Sequence, residues 1–115
     1  MPSLDNSLNP MAITAPTGGI AAGGFKLISG ILFYCPEAIT AGSTGAGYWK
    51  DKLIRGAPKA DGTGKGWTPG QKLYWDNSAG KWTTTATGNT LRGFAAATAT
   101  AGATTGDVCL LQIAA

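Results

Sequence analysis

The sequence contains no histidine, and its few acidic residues are far apart along the chain. Histidine is the commonest general base and the commonest metal ligand, so its absence removes the usual basis for both kinds of site. No two carboxylates are close in sequence; they are Asp5, Glu37, Asp51, Asp61, Asp76 and Asp107. We therefore expect no catalytic residue, no metal site and no bound cofactor, and we interpret the chain as a protein that is not an enzyme.

Cysteine is scarce as well, since Cys35 and Cys109 are the only two. Each lies in an apolar segment, and two isolated cysteines cannot supply the four ligands of a structural zinc site. Residues 1–10 are polar and include no apolar signal segment, so we expect synthesis in the cytoplasm. In that compartment both thiols are expected to be reduced and buried, and a disulfide between them is the less favoured alternative.

Long apolar runs and charge clusters are also missing. No apolar run approaches the ~20 residues that a membrane-spanning helix needs, so we expect no membrane contact. The nine basic residues give a net charge of +3 but are scattered along the sequence. A nucleic-acid-binding protein usually concentrates Lys and Arg in a patch or stripe, so the sequence predicts no specific nucleic-acid site.

The residues that are abundant indicate strands and turns. Gly, Ala and Thr make up almost half of the chain, whereas Leu, Glu and Gln are few. Gly and Thr are unfavourable in helices relative to Ala, while Thr suits strands and Gly suits turns. Apolar clusters at residues 31–34, 72–75 and 108–111 argue against a disordered low-complexity chain. The composition therefore predicts an ordered, all-β fold.

Short apolar segments separated by turn residues predict a small barrel or sandwich of antiparallel strands. The length indicates a single β domain over residues 11–115, preceded by an extended N-terminal arm over residues 1–10. Asn77-Ser78-Ala79-Gly80 is the clearest hairpin turn. Loops are predicted at residues 41–47 and 58–70, and strands at residues 11–15, 25–29, 31–35, 48–57, 72–76, 81–85, 92–98 and 107–113.

The four tryptophans are the remaining candidates for a site. Trp49, Trp75 and Trp82 lie on predicted strands, where core or subunit contacts are expected. Trp67 lies in the Gly/Pro-rich loop and has two open interpretations: a plug at one end of the fold, or an anchor in a protein interface. An aromatic loop with scattered positive charge would also suit a binding module for carbohydrate or single-stranded nucleic acid, which is the alternative function.

Several short motifs occur in a fixed order along most of the chain. They are TAPTGGI at residues 14–20, PKA at 58–60, KLYWD at 72–76 and AGKWTTTATGNTLRGFA at 79–95, followed by a small-residue linker and a closing apolar strand. In this pattern the chain resembles the phage capsid cement, or head decoration, family. The resemblance implies a small β-barrel-like fold on the outside of a tailed-phage head. It also implies contact with the major capsid protein, and a homotrimer near local three-fold positions.

On this interpretation the partners are the major capsid protein and further copies of the chain, and the location is the outer surface of the virion. An extended arm can add a strand to the edge of a sheet on such a partner. We therefore expect residues 1–10 to become ordered only in the assembly. The candidate contact residues are Leu4, Leu8, Pro10, Met11, Lys59, Lys65 and Trp67.

Overall fold

The computed structural model describes residues 10–111, and every regular element in that range is a β-strand. All strand pairs are antiparallel, as predicted. No helix among these residues is long and apolar enough to cross a membrane. The strands are β1 (Met11–Thr14), β2 (Gly24–Ile28), β3 (Ile31–Cys35), β4 (Thr44–Gly47), β5 (Leu53–Pro58), β6 (Lys72–Asp76), β7 (Lys81–Thr83), β8 (Thr90–Ala95) and β9 (Thr105–Leu110).

The chain divides into two compact units, an N-terminal unit (Met1–Trp49) and a C-terminal unit (Lys50–Ala115). The first contains two two-stranded sheets, β1-β4 and β2-β3, and the second contains a five-stranded sheet in the order β5-β9-β8-β6-β7. The all-β class is confirmed. None of these sheets closes into a barrel over residues 10–111, so the strands fit the sandwich alternative. A single domain over residues 11–115 stays a prediction.

The hairpin of β2 and β3 is built on a two-residue turn in the N-terminal unit. Ser29 and Gly30 both have positive φ, 51° and 82°. This is the backbone of a type I′ turn, whose twist matches that of the flanking strands. The core beneath the sheets of this unit consists of Ile13, Ala15, Ile20, Phe33, Cys35 and Ile39.

Strand β4 occupies a segment that the sequence predicted to be a loop, because its glycines resemble turn residues. A Cβ atom on Gly45 would lie 2.7 Å from the side chain of Ile39, and one on Gly47 would lie 2.8 Å from that of Ile13. Core side chains therefore pack directly on the backbone of β4, which leaves no room for larger residues at these positions. The loop prediction for residues 41–47 is wrong over β4.

The strand predicted for residues 48–57 is correspondingly shorter in the structure. It begins only at Leu53, because the chain turns before that point. Tyr48 pairs with Tyr34 through an isolated bridge, and Asp51 has a positive φ of 55°. A left-handed residue interrupts the extended backbone that a strand requires. The imperfect alternation of apolar and polar residues over 48–52 is consistent with this interruption of the strand.

The C-terminal unit buries one face of its five-stranded sheet. Its buried apolar side chains are Ile54, Ala57, Trp67, Leu73, Trp75, Trp82, Ala95, Val108 and Leu110. Trp75 and Trp82 are directly opposite each other in β6 and β7, with ring centroids 5.6 Å apart in an edge-to-face arrangement. The predicted β6–β7 hairpin is confirmed, and the Asp76 carboxylate accepts the backbone N–H groups of Ser78 and Ala79 in its turn.

The two edges of the five-stranded sheet approach each other at one point. Lys59, the residue after β5, forms a parallel bridge with Trp82 in β7. The backbone N–H of Ala60 donates to the carbonyl oxygen of Trp82 at 2.8 Å. This single bridge protects the exposed edge of the short strand β7, and it places Lys59 inside the unit.

Candidate interaction surfaces

The described residues contain no arrangement typical of a catalytic or metal centre. Among residues 10–111, no group of three or more Cys, Asp or Glu side chains could hold a metal ion. Cys35 and Cys109 are both free, the first buried and the second half-buried. Burial raises the pKa of each thiol, so neither has the lowered pKa of an activated nucleophile.

Lys59 is a fully buried cation in the C-terminal unit. Its Nζ donates to the carbonyl oxygens of Ala60 at 2.9 Å and Ala103 at 3.1 Å, and it lies 5.3 Å from the ring centroid of Trp67. Burial lowers the pKa of Lys59, and the nearby negative charge of Asp61 partly opposes that shift. The two carbonyls and the aromatic face replace the water that the amine loses on folding.

Trp67 is buried beside Lys59, with only 2% of its surface exposed. Its backbone N–H and carbonyl both pair with Ala99, at 2.9 and 3.0 Å. Its indole ring packs directly on the backbone of Gly106, where a Cβ atom would overlap the ring. The buried position agrees with the plug interpretation. The alternative binding module requires an open indole face on which a sugar or a base can stack, and the buried Trp67 does not provide one.

Lys65 helps to tie three loops of the C-terminal unit together. Its Nζ donates to the hydroxyl of Thr85 at 2.7 Å, and the hydroxyl of Thr84 donates to the Gly64 carbonyl at 3.3 Å. The backbone N–H of Gly62 donates to the carbonyl of Ala101 at 2.8 Å. We call the joined loops, residues 60–66, 84–89 and 99–104, the loop platform. The long loop predicted at residues 58–70 is therefore held in place by hydrogen bonds.

A family model described as phage cement protein matches residues 7–110, which include all nine strands. The chain belongs to the phage cement protein family. No curated protein and no solved structure matches it. Membership supports the predicted structural role at a phage capsid, and it suggests a protein that is not an enzyme.

The contact residues predicted for this phage cement protein lie in both units. Lys59, Lys65 and Trp67 are brought together around the loop platform, but only Lys65 of these three is partly exposed. Pro10 is exposed before β1, and Met11 is half-buried against the core of the N-terminal unit. The remaining two, Leu4 and Leu8, lie outside the described residues. The role of all seven as contacts stays a prediction.

The sequence interpretation missed an apolar surface of the phage cement protein. Within residues 50–111 of the C-terminal unit, three large apolar side chains are exposed: Leu53 at 49%, Phe94 at 38% and Leu111 at 39%. The signal was present in the unbroken apolar run at residues 108–111. A strand with one face in water normally alternates apolar and polar residues, whereas an unbroken run indicates that both faces become covered.

The N-terminal unit of the phage cement protein has a hollow of about 420 Å³ beside β4. Its lining includes Pro36, Ile39 and Tyr48, and Glu37 is its one charged side chain. A lone carboxylate without an acid–base partner does not form a catalytic pair. The hollow therefore adds no chemistry to the structural role.

Proposed function

We propose that this phage cement protein decorates the outer surface of a tailed-phage head and stabilises contacts between capsomers of the major capsid protein. The observation that carries the proposal is the family match over residues 7–110. We further propose that the chain is made in the host cytoplasm and acts as a homotrimer. The buried position of Trp67 supports this function over the carbohydrate or nucleic-acid module, because that module depends on an accessible aromatic ring.

The physical basis of cementing is the addition of contacts that must break before neighbouring capsomers can separate. A stable protein interface buries roughly 1,600 Å² in total. Many copies on a symmetric shell also act together, so that modest contacts at each site give a large combined effect.

The internal hydrogen bonds of the loop platform favour such a role. Lys65, Thr84 and Gly62 tie loops that would otherwise be mobile on a chain rich in glycine. Ordering a free loop on binding costs conformational entropy, which weakens the contact. Loops that are already held in the free protein lose less entropy when they meet a partner.

The test uses heads of the phage that encodes the chain, prepared without this protein. Purified protein is added, and its binding is measured by co-sedimentation with the heads. We expect saturable binding, and a higher temperature for DNA release from the decorated heads than from the bare ones. Retention on heparin or on an oligonucleotide, together with no binding to heads, would contradict the proposal and favour the alternative module.

A further inference from the structure

One cross-strand row of the five-stranded sheet carries apolar side chains on its exposed face. Leu53 in β5 is opposite Cys109 in β9, and Cys109 is opposite Phe94 in β8. Directly opposed residues of antiparallel strands point to the same face. The chain neighbours of this row are buried on the other face; they are Ile54, Val108, Leu110, Gly93 and Ala95. Leu111 follows directly after β9, donates its backbone N–H to the Arg92 carbonyl at 2.8 Å, and is exposed next to this row.

We call Leu53, Phe94, Cys109 and Leu111 the outer apolar face. Between 38% and 49% of each of its three large side chains is exposed in the free chain. A sheet face that remains in water normally carries polar residues, so a contiguous group of Leu and Phe indicates a surface that another protein covers. Single apolar residues scattered over a surface do not indicate an interface. Leu53, Cys109 and Phe94 are instead placed side by side by the pairing of β5, β9 and β8.

The charges beside the outer apolar face identify the kind of partner. Lys72 in β6 is opposite Phe94 and exposed, and no carboxylate among residues 10–111 forms an ion pair with it. Arg55, whose side chain is 77% exposed, lies 3.6 Å from the Asp107 carboxylate. That carboxylate also accepts the Gly56 N–H at 3.0 Å. The exposed segment 50–52, which leads into Leu53, adds two lysines and one aspartate, so the balance of charge around this face is positive.

We propose that the outer apolar face is a surface through which this protein contacts the capsid. The partner surface that fits it has exposed apolar side chains bordered by carboxylates. A second copy in a two-fold contact is the poorer fit, because the Lys72 side chains of both copies would lie in the same interface and repel each other. This inference rests on the proposed function and names the surface that performs it.

The first test places a carboxylate in the centre of the face. Leu53→Glu and Phe94→Glu change exposed side chains, so both variants are expected to fold like the unchanged protein. Each should weaken binding to bare heads by at least about tenfold, because a central apolar contact is lost and the new charge is desolvated. Lys72→Glu should also weaken binding, whereas Lys72→Arg should preserve it. The control is Ala22→Glu, an exposed turn position before β2 in the N-terminal unit.

The second test uses the thiol at the middle of the face. Cys109 is half-buried and Cys35 is fully buried, so only Cys109 should react measurably with iodoacetamide in the native protein. Binding to heads should slow the alkylation of Cys109 severalfold. Cys35 serves as the internal control for unfolding, since its alkylation should remain slow in both states.

The outcomes separate this inference from the proposed function. If the unchanged protein does not bind heads, the proposed function fails. If it binds, and Leu53→Glu binds equally well with Cys109 unprotected, the function stands and the inference is wrong. Protection of Cys109 in the free protein that increases with concentration assigns the face to a second copy, and this also overturns the inference.

Discussion

Lys59 has an uncommon environment for a lysine, since its amine is buried and its two hydrogen-bond acceptors are both backbone carbonyls. These carbonyls belong to Ala60 and Ala103, in two different loops of the platform. Each would be left without a strong donor if the amine were removed. Burial of an amine is unfavourable in itself, so the residue stabilises the fold only through these contacts and through Trp67.

We expect Lys59→Ala to lower the free energy of unfolding by about 2–4 kcal/mol, because it creates a cavity beside Trp67 and leaves two carbonyls unpaired. Lys59→Met keeps the aliphatic stem and should cost less, about 1–2 kcal/mol. Urea unfolding followed by tryptophan fluorescence measures both values. An equal loss of unfolding free energy in the two variants would show that the aliphatic stem of Lys59 contributes nothing to stability.

The same lysine predicts a pH dependence of stability. Burial lowers the pKa of Lys59 in the folded chain, whereas the unfolded chain keeps the ordinary value of 10.5. At a pH between the folded and the unfolded pKa, the unfolded chain therefore binds more protons. The contribution of Lys59 to the free energy of unfolding therefore increases as pH rises through that window. Urea unfolding at a series of increasing pH values up to 10.5 should show a widening stability difference between the unchanged protein and Lys59→Met. A difference that is constant with pH would contradict the assignment.

Gly106 is the position where the Trp67 ring packs most closely on the backbone. Gly106→Ala should destabilise the protein by about 1–3 kcal/mol, because the new methyl group overlaps the indole ring and forces it to move. Gly102→Ala is the matched control, since nothing lies within 4 Å of its Cβ position. We expect that control to change stability by less than about 0.5 kcal/mol in thermal unfolding. Equal effects at both positions would contradict the packing argument.

At the scale of elements, strands joined by a turn with local hydrogen bonds could be predicted from the sequence, whereas a strand fixed by tertiary packing could not. The β6–β7 hairpin was predicted with nearly its observed bounds, because its turn residues form their hydrogen bonds within the turn itself. Strand β4 was missed, because Gly45 and Gly47 are selected by distant side chains rather than by local backbone preference. At these two positions glycine is required by close packing on a strand and not by a turn.

The N-terminal arm is the element for which assembly is expected to matter most. Residues 1–9 lie outside the described part of the chain, and β1 begins at Met11, after Pro10. We predict that deletion of residues 1–10 abolishes binding to heads, because the arm supplies a strand to a sheet edge of its partner. The truncated chain should still fold, since no residue of the described cores is removed. Co-sedimentation with heads and circular dichroism measure the two properties, and unchanged occupancy on heads would reject the prediction.

At the scale of the whole molecule, we predict a homotrimer. The chain has only 115 residues, and a short chain buries a smaller fraction of its surface than a long one, so association of copies through surfaces other than the outer apolar face would add buried area. Sedimentation equilibrium over a range of concentrations measures the assembly directly. A trimer mass is the expected result, and a monomer at high concentration would contradict trimerisation in the absence of the capsid.

The candidate contact residues show where reasoning from the sequence reached its limit. Lys59, Lys65 and Trp67 were selected because they lie in one long loop, and the structure brings them together around the platform. Their exposure could not be predicted, because it depends on the loops that cover them. Leu53 and Phe94 are 41 positions apart in the numbering and become neighbours only through Cys109 in β9.

Composition and short motifs by themselves determined the all-β class, the main hairpins and the resemblance to phage cement proteins. These properties depend on backbone preferences and residue order, which are local and can be counted along the chain. Only the tertiary structure decided which side of each strand is buried, that Trp67 is a core residue, and that apolar side chains from three strands form one exposed face. Those properties depend on which distant segments pair and in which register, and that is fixed only when the apolar faces of the strands meet in the folded chain.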